Sequence, residues 1–219
     1  MPTGTILRVE GRSDFYISPN GGQIAPVTEA PSALDDLDRQ ILVGPALVLA
    51  LALRSVWSLH ASAVLHRGRV LLFLGESGQG KSTLAAYLAS TLPRVADDIL
   101  PVTMSKSGLT VWPRFPQLKL PADAQPGASQ PEQLAAGWVC ALTETDPASP
   151  PTLERLPIPQ ATQTILRHTA GTRLFPADLL TQHLGFCAQA AHHVPAYQLY
   201  YPRRMDALPL VKECLQNLQ

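Results

Sequence analysis

Apolar and polar positions alternate along this chain in patterns that predict an α/β protein. Val70-Leu71-Leu72-Phe73-Leu74 is an unbroken apolar run and reads as a buried strand. Leu59 to Leu65 precedes it across His66-Arg67-Gly68-Arg69, so the two runs predict a hairpin. After the glycine-rich stretch that follows, Leu84, Leu88 and Leu92 recur at helical spacing. They predict a helix from Ser82 to Leu92, stopped by Pro93. Upstream, Ile6–Glu10 and Asp14–Ile17 predict short strands of a meander, followed by a polar loop through Pro31. Pro45 to Trp57 predicts a buried helix with Pro45 in its first turn. Downstream, Arg94 to Val102 predicts a short strand, and Val102–Met104 with Leu109–Trp112 a second hairpin about Ser105-Lys106-Ser107-Gly108. Proline recurs from Pro113 to Pro159, interrupted by a core strand at Trp138–Leu142; Asp146–Pro151 is the most linker-like piece. Helices are expected at Gln160–Thr169 and Pro176–His192, the latter with Leu179, Leu180, Leu184 and Cys187 inward. Tyr197–Tyr201 alternates as a strand does. Asp206 is the expected cap of a closing helix carrying Leu210, Val211, Cys214, Leu215 and Leu218. No internal repeat is visible.

Composition narrows the classes. The chain has 219 residues, enough for one substantial core, and residues 1–219 are expected to form a single domain. Within it, residues 1–40 supply N-terminal strands and a loop, and residues 113–159 a proline-rich irregular segment. With 17 basic and 17 acidic residues the formal charge is zero, which argues against a large face that tracks nucleic-acid phosphates. The apolar run Ile41–Leu53 contains Gly44-Pro45 and falls short of the roughly 20 residues a membrane span needs. No secretion signal opens the chain, and a cytoplasmic location is expected. Cys140, Cys187 and Cys214 are far apart, match no zinc spacing and read as small buried residues.

The chemistry concentrates in Gly75-Glu76-Ser77-Gly78-Gln79-Gly80-Lys81-Ser82-Thr83, a complete phosphate-binding loop motif between a predicted strand and a predicted helix. Backbone N–H groups of such a loop point inward, and the helix dipole adds positive charge at Lys81–Thr83. Lys81 carries a full charge for the outer phosphates, and the Ser82 hydroxyl is placed to ligate Mg²⁺. The motif predicts a bound nucleoside triphosphate. Asp97-Asp98 follows Lys81 by only 16 and 17 positions, room for one helix and one short strand, so the pair should return beside the phosphates. Alone, an Asp-Asp pair reads equally well as a solvated turn. His60 opens the strand before the loop, where a packed histidine is the competing reading. An antiparallel strand immediately before the loop is not how a plain doubly wound nucleotide fold begins.

His60, Gly75–Thr83 and Val95-Ala96-Asp97-Asp98, in that register, resemble the bacterial HPr kinase/phosphorylase family over about residues 55–104. Pro116-Gln117-Leu118-Lys119-Leu120 and Tyr200-Tyr201-Pro202-Arg203 extend the resemblance, and look more like short single-domain relatives encoded with peptide-biosynthesis machinery. The resemblance implies a P-loop kinase domain of the HPr kinase/phosphoenolpyruvate carboxykinase type, a mixed sheet flanked by helices. It further implies an ATP- and Mg²⁺-dependent kinase acting on a serine hydroxyl of a peptide or protein. Asp98 would be the base, Asp97 would position Mg²⁺ with Ser82, and His60 would tune the site. Full HPr kinases carry a glutamate-bearing glycine-rich signature downstream; Trp112–Asp123 has no such glutamate. The arginine loop tied to the reverse reaction is not recognisable either, so phosphorylase activity and HPr as substrate are not expected. Arg167, Arg173, Arg203 and Arg204 are candidates for a phosphate-facing guanidinium, with no spacing to choose among them. A small-molecule kinase of the same fold and a non-catalytic nucleotide sensor are the alternatives. The expected partners are the nucleotide and the acceptor, not nucleic acid or membrane; oligomeric state, including a homo-oligomer, stays open.

Overall fold

The computed structural model describes residues 4–27, 34–113, 115 and 131–218. These fall into two compact units, one drawn from residues up to Ser58 with Ala170–His183, the other from Leu59–Thr169 with Leu184 onward.

In the first unit, β1 (Thr5–Leu7), β2 (Phe15–Ile17) and β3 (Ile24–Pro26) form an antiparallel meander. The third strand lies in what the sequence reading leaves as loop. The helix expected over Pro45–Trp57 is present but shorter, as α2 (Leu47–Ala52), and an unexpected helix α1 (Asp36–Ile41) leads into it through a π-type turn at Leu42–Ala46. Gly44 departs from helical geometry there (φ −98°, ψ −105°), and Pro45 sits inside the kink, not at a first turn. The Asp35 carboxylate caps α1 by accepting from the Asp38 N–H at 2.8 Å. α2 closes before Trp57 because Ser55 turns left-handed (φ 58°), with Ser55 N–H donating to Ala52 and Val56 N–H to Leu51. Trp57 and Phe175 meet edge to face against His183, which is fully buried and whose pKa burial lowers.

The second unit is built on a mixed sheet flanked by helices. Its strands are β4 (Trp57–His66), β5 (Arg69–Leu74), β6 (Arg94–Ser105), β7 (Gly108–Val111), β8 (Leu134–Glu144), β9 (Thr152–Arg155) and β10 (Ala196–Tyr201). Their order is β5-β4-β6-β7-β8-β10-β9, and β5 also pairs parallel with β8, so the pairings from β5 round to β8 close on themselves. The expected hairpins are both present: Ala61 faces Leu74 across β4–β5 and Val102 faces Val111 across β6–β7. Arg67 and Gly68 turn the first with positive φ at both residues. The unit's helices are α3 (Lys81–Leu88), α4 (Ile158–Arg167) and α6 (Leu208–Gln216), with α5 (Ala177–His193) belonging to the first unit up to His183 and to this one from Leu184.

One face of the sheet follows strand alternation: Leu71 and Phe73, Trp138, Cys140 and Leu142, then Tyr197, Leu199 and Tyr201. Leu84, Ala85 and Leu88 of α3 and Leu208, Val211 and Leu215 of α6 complete that core. Three expectations need correction. α3 ends at Leu88, a turn before Pro93. Leu180 and Leu184 are 42% and 52% exposed; the inward face of α5 runs Leu179, His183, Phe186, Cys187 and Ala190, and its buried histidine disguised the stripe. Asp206 does not cap α6, whose cap is Ala207; Asp206 pairs with Arg204 in the preceding 3₁₀ turn. Among the described residues no helix is long and apolar enough to cross a membrane.

His66 closes β4 with its ring edge-on to Trp138 and its Nε2 without a hydrogen-bond partner among the described residues. Burial, aided by Arg67, lowers its pKa below the ordinary value near 6.5. The native state therefore favours the neutral ring, and its contribution is intact above pH 6.5 and lost as pH falls through and below that value. Thermal unfolding of His66→Phe, which keeps the aromatic edge, should lose less Tm than the parent between pH 7 and pH 5. An equal loss would assign the acid sensitivity elsewhere.

Candidate functional site

β5 ends at Leu74, the chain turns through Gly75–Gly80, and α3 starts at Lys81. Gly78 and Gly80 take φ of 84° and 86°, values that favour glycine. At Gly80 space is also short: a Cβ would lie 2.5 Å from Tyr201 Oη. The Gln79 side chain braces the loop from within, its Oε1 accepting from Glu76 N–H at 2.7 Å. Two clamps come from the far end of the chain. Tyr201 Oη donates to the Gln79 carbonyl at 2.7 Å, and Arg203 Nη1 to the Gly78 carbonyl at 2.6 Å. Burial raises the Tyr201 pKa, which keeps its hydroxyl a donor. Arg203 is thereby the one of the four candidate arginines seen bonded to the loop; Arg204 lies beside it, and Arg167 lines a separate small cavity near Glu76 and His168.

His60, Lys81, Ser82, Asp97 and Asp98 line one cleft of about 190 Å³, with Ser62, Ser77, Gly78, Gly80 and Thr83. Gly75, Glu76 and Gln79 of the predicted set support the loop without lining that cleft. His60 is fixed through its backbone, which donates to the His168 carbonyl at 2.8 Å next to the Leu59–Thr169 bridge. Its Nε2 lies 3.2 Å from Asp98 Oδ1. Asp97 is held on both oxygens: Ser62 Oγ donates to Oδ1 at 2.8 Å and Arg94 Nη2 pairs with Oδ2 at 2.5 Å. His60 and Ser62 are two apart on β4 and so share a face, yet their partners are adjacent on β6. Both aspartates nevertheless line the one cleft. Ser62 and Arg94 are absent from the sequence reading. A polar residue two positions from His60 inside an apolar strand was the available signal for Ser62.

The ammonium of Lys81, in a 7% exposed residue, donates to the Gly75 and Glu76 carbonyls at 2.7 and 3.1 Å. The N–H groups of Ser77, Gly78 and Gly80 donate to no protein acceptor among the described residues. Unfilled donors beside a lysine at a helix start suit an anion. Two carboxylates and the Ser82 hydroxyl are the hard oxygen donors that Mg²⁺ takes alongside water and phosphate. The residues present therefore fit both a polyphosphate and Mg²⁺. Among the described residues no cluster of three His, Cys, Asp or Glu side chains forms an all-protein metal cage.

No protein-family profile matches the chain, and no curated protein matches it. Among solved structures it is similar to one described as the Hpr(Ser) kinase/phosphatase from Coxiella burnetii. That similarity spans 73% of this chain and 94% of the other, at 14% identity and a TM-score of 0.38. A likeness of that size carries no functional argument, and the reading that follows stands on the site.

Replacing Gly80 by Ala should cost roughly 1–3 kcal/mol in denaturant unfolding, from the left-handed backbone and the displaced Tyr201 hydroxyl. Because both changes strike one contact, Tyr201→Phe should cost less in the Gly80→Ala background than in the parent. Strict additivity would mean that the clamp and the glycine act independently.

Proposed function

We propose that this chain is an ATP- and Mg²⁺-dependent phosphotransferase that phosphorylates a serine hydroxyl of a peptide or protein. The observation that carries this reading is the sharing of one cleft by the Gly75–Thr83 loop, Lys81 and the Asp97-Asp98 pair, with His60 on Asp98. Phosphoryl transfer needs neutralised phosphate charge, in-line placement and a group to take the hydroxyl proton. The loop N–H groups and Lys81 supply the first, Lys81 leaving its loop carbonyls for the outer phosphates. Bound Mg²⁺ would add charge neutralisation and orientation, held by Ser82 and, through water or directly, by Asp97. Since Ser62 and Arg94 occupy an oxygen each of Asp97, contact through water asks least rearrangement of the site.

Asp98 accepts the serine proton as the new O–P bond forms and the bond to the leaving diphosphate breaks. His60 holds the Asp98 carboxylate in place and offers an adjacent site for the proton. Exposed Ser77, Ser82 and Thr83 with the 38% exposed His60 side chain border an open cleft. That rim suits a serine presented on a peptide better than a small metabolite, which calls for an enclosed pocket. A precursor peptide of a biosynthetic pathway is the acceptor proposed, in keeping with the motif resemblance.

Asp98→Asn should retain ATP affinity within about threefold and lose roughly 10²–10⁴ of transfer. Titration calorimetry reads the first quantity, and label transfer from γ-labelled ATP into a serine-containing peptide mixture reads the second. Undiminished transfer would remove Asp98 as base; transfer to free serine or a sugar alone would favour the metabolite kinase. Nucleotide binding without transfer to any acceptor would favour a sensor.

A further inference from the structure

A second cleft, of about 280 Å³, opens on the other flank of the same loop. Gly78, Gly80 and Thr83 belong to both clefts, so the two lie side by side at the start of α3. The outer wall comes from the segment after β10: Arg203, Arg204, Met205 and the buried Leu208. We propose that this second cleft seats the nucleoside of the triphosphate and holds a purine by stacking and apolar contact, without reading its identity. The inference rests on the nucleotide reading above and adds where the base lies and how it is recognised.

Three observations support it. The size approaches the roughly 300 Å³ at which small-molecule pockets begin. The shared loop residues give a chain running out of the phosphate cleft a direct path into this one. The chemistry of the wall then decides selectivity. Discriminating adenine from guanine requires fixed donors and acceptors against the base edge. No Asn, Gln, Asp or Glu side chain lines this cleft among the described residues. Its larger polar side chains each already hold a protein partner: Tyr201 with Gln79, Arg203 with Gly78 and, at 3.6 Å, Glu144, and Arg204 with Asp206; the Thr83 hydroxyl and the Gly78 and Gly80 N–H groups lie on the edge shared with the phosphate cleft. Away from that edge the wall is a thioether, an aliphatic side chain and guanidinium planes, all of which grip a ring face whatever its edge carries. Met205 is 66% exposed, as a rim residue awaiting a ligand ring would be, and its truncation should not disturb the core.

The test is titration calorimetry of the full chain with Mg²⁺ and, in turn, ATP, GTP and inorganic tripolyphosphate, for the parent and Met205→Ala. ATP and GTP should bind within about threefold of each other. Met205→Ala should weaken both by roughly fivefold and leave tripolyphosphate unchanged. A preference of 30-fold or more for one purine, or a Met205→Ala variant that binds both nucleotides as the parent does, would overturn the assignment while leaving nucleotide binding intact. Failure of all three compounds to bind would instead overturn the nucleotide reading, and this assignment with it.

Discussion

The buried charge of Asp97 is the constraint around which the second unit's site is arranged. A carboxylate this enclosed is costly unless both oxygens find partners, and here they do, in Ser62 of β4 and Arg94 at the start of β6. The Ser62 contact ties β6 to β4 while Arg94 braces Asp97 from within β6, and Asp98, the next residue, meets His60 of β4. Removing either partner of Asp97 would leave a buried carboxylate with fewer donors beside Asp98. The site is thus a property of strand pairing as much as of the glycine loop.

The loop itself depends on distant chain. Its carbonyls are pinned by Tyr201 and Arg203, more than a hundred positions downstream, and left-handed Gly80 leaves room for the approach of Tyr201. α3 and α6 pack on the same face of the sheet, so the helix that follows the loop and the helix that follows the clamp share one core. Lys81 completes the arrangement by lying back on Gly75 and Glu76, a position that satisfies its ammonium and one from which an anion could draw it.

What could be read from residues alone follows the range of the interaction. Hairpins, the strand-loop-helix order and the return of Asp97-Asp98 were legible because each depends on residues within one or two elements of one another. The mixed sheet was implied by the motif resemblance, not by these local pairings. Ser62, Arg94 and the Tyr201 clamp were not legible, since a strand Ser or Tyr has many roles and only the fold decides which neighbour it meets. Pro45 misled for a related reason: a proline before an apolar run usually opens a helix, but Asp35 had already capped one ten positions earlier. His183 hid the inward face of α5 because an apolar stripe search discards a histidine, although burial against aromatic rings suits its neutral form.

The central claim is that one bound polyphosphate brings its terminal phosphorus to the side of the cleft where Asp98 and His60 stand. A crystal structure with Mg²⁺ and a non-hydrolysable ATP analogue measures this most directly. The account predicts Lys81 Nζ withdrawn from the Gly75 and Glu76 carbonyls and bonded to the outer phosphates, with the Asp98 carboxylate facing the terminal phosphate across space for a hydroxyl. A triphosphate bound away from Gly75–Thr83, or one whose terminal phosphate points away from Asp98 with Lys81 still on its loop carbonyls, would contradict it.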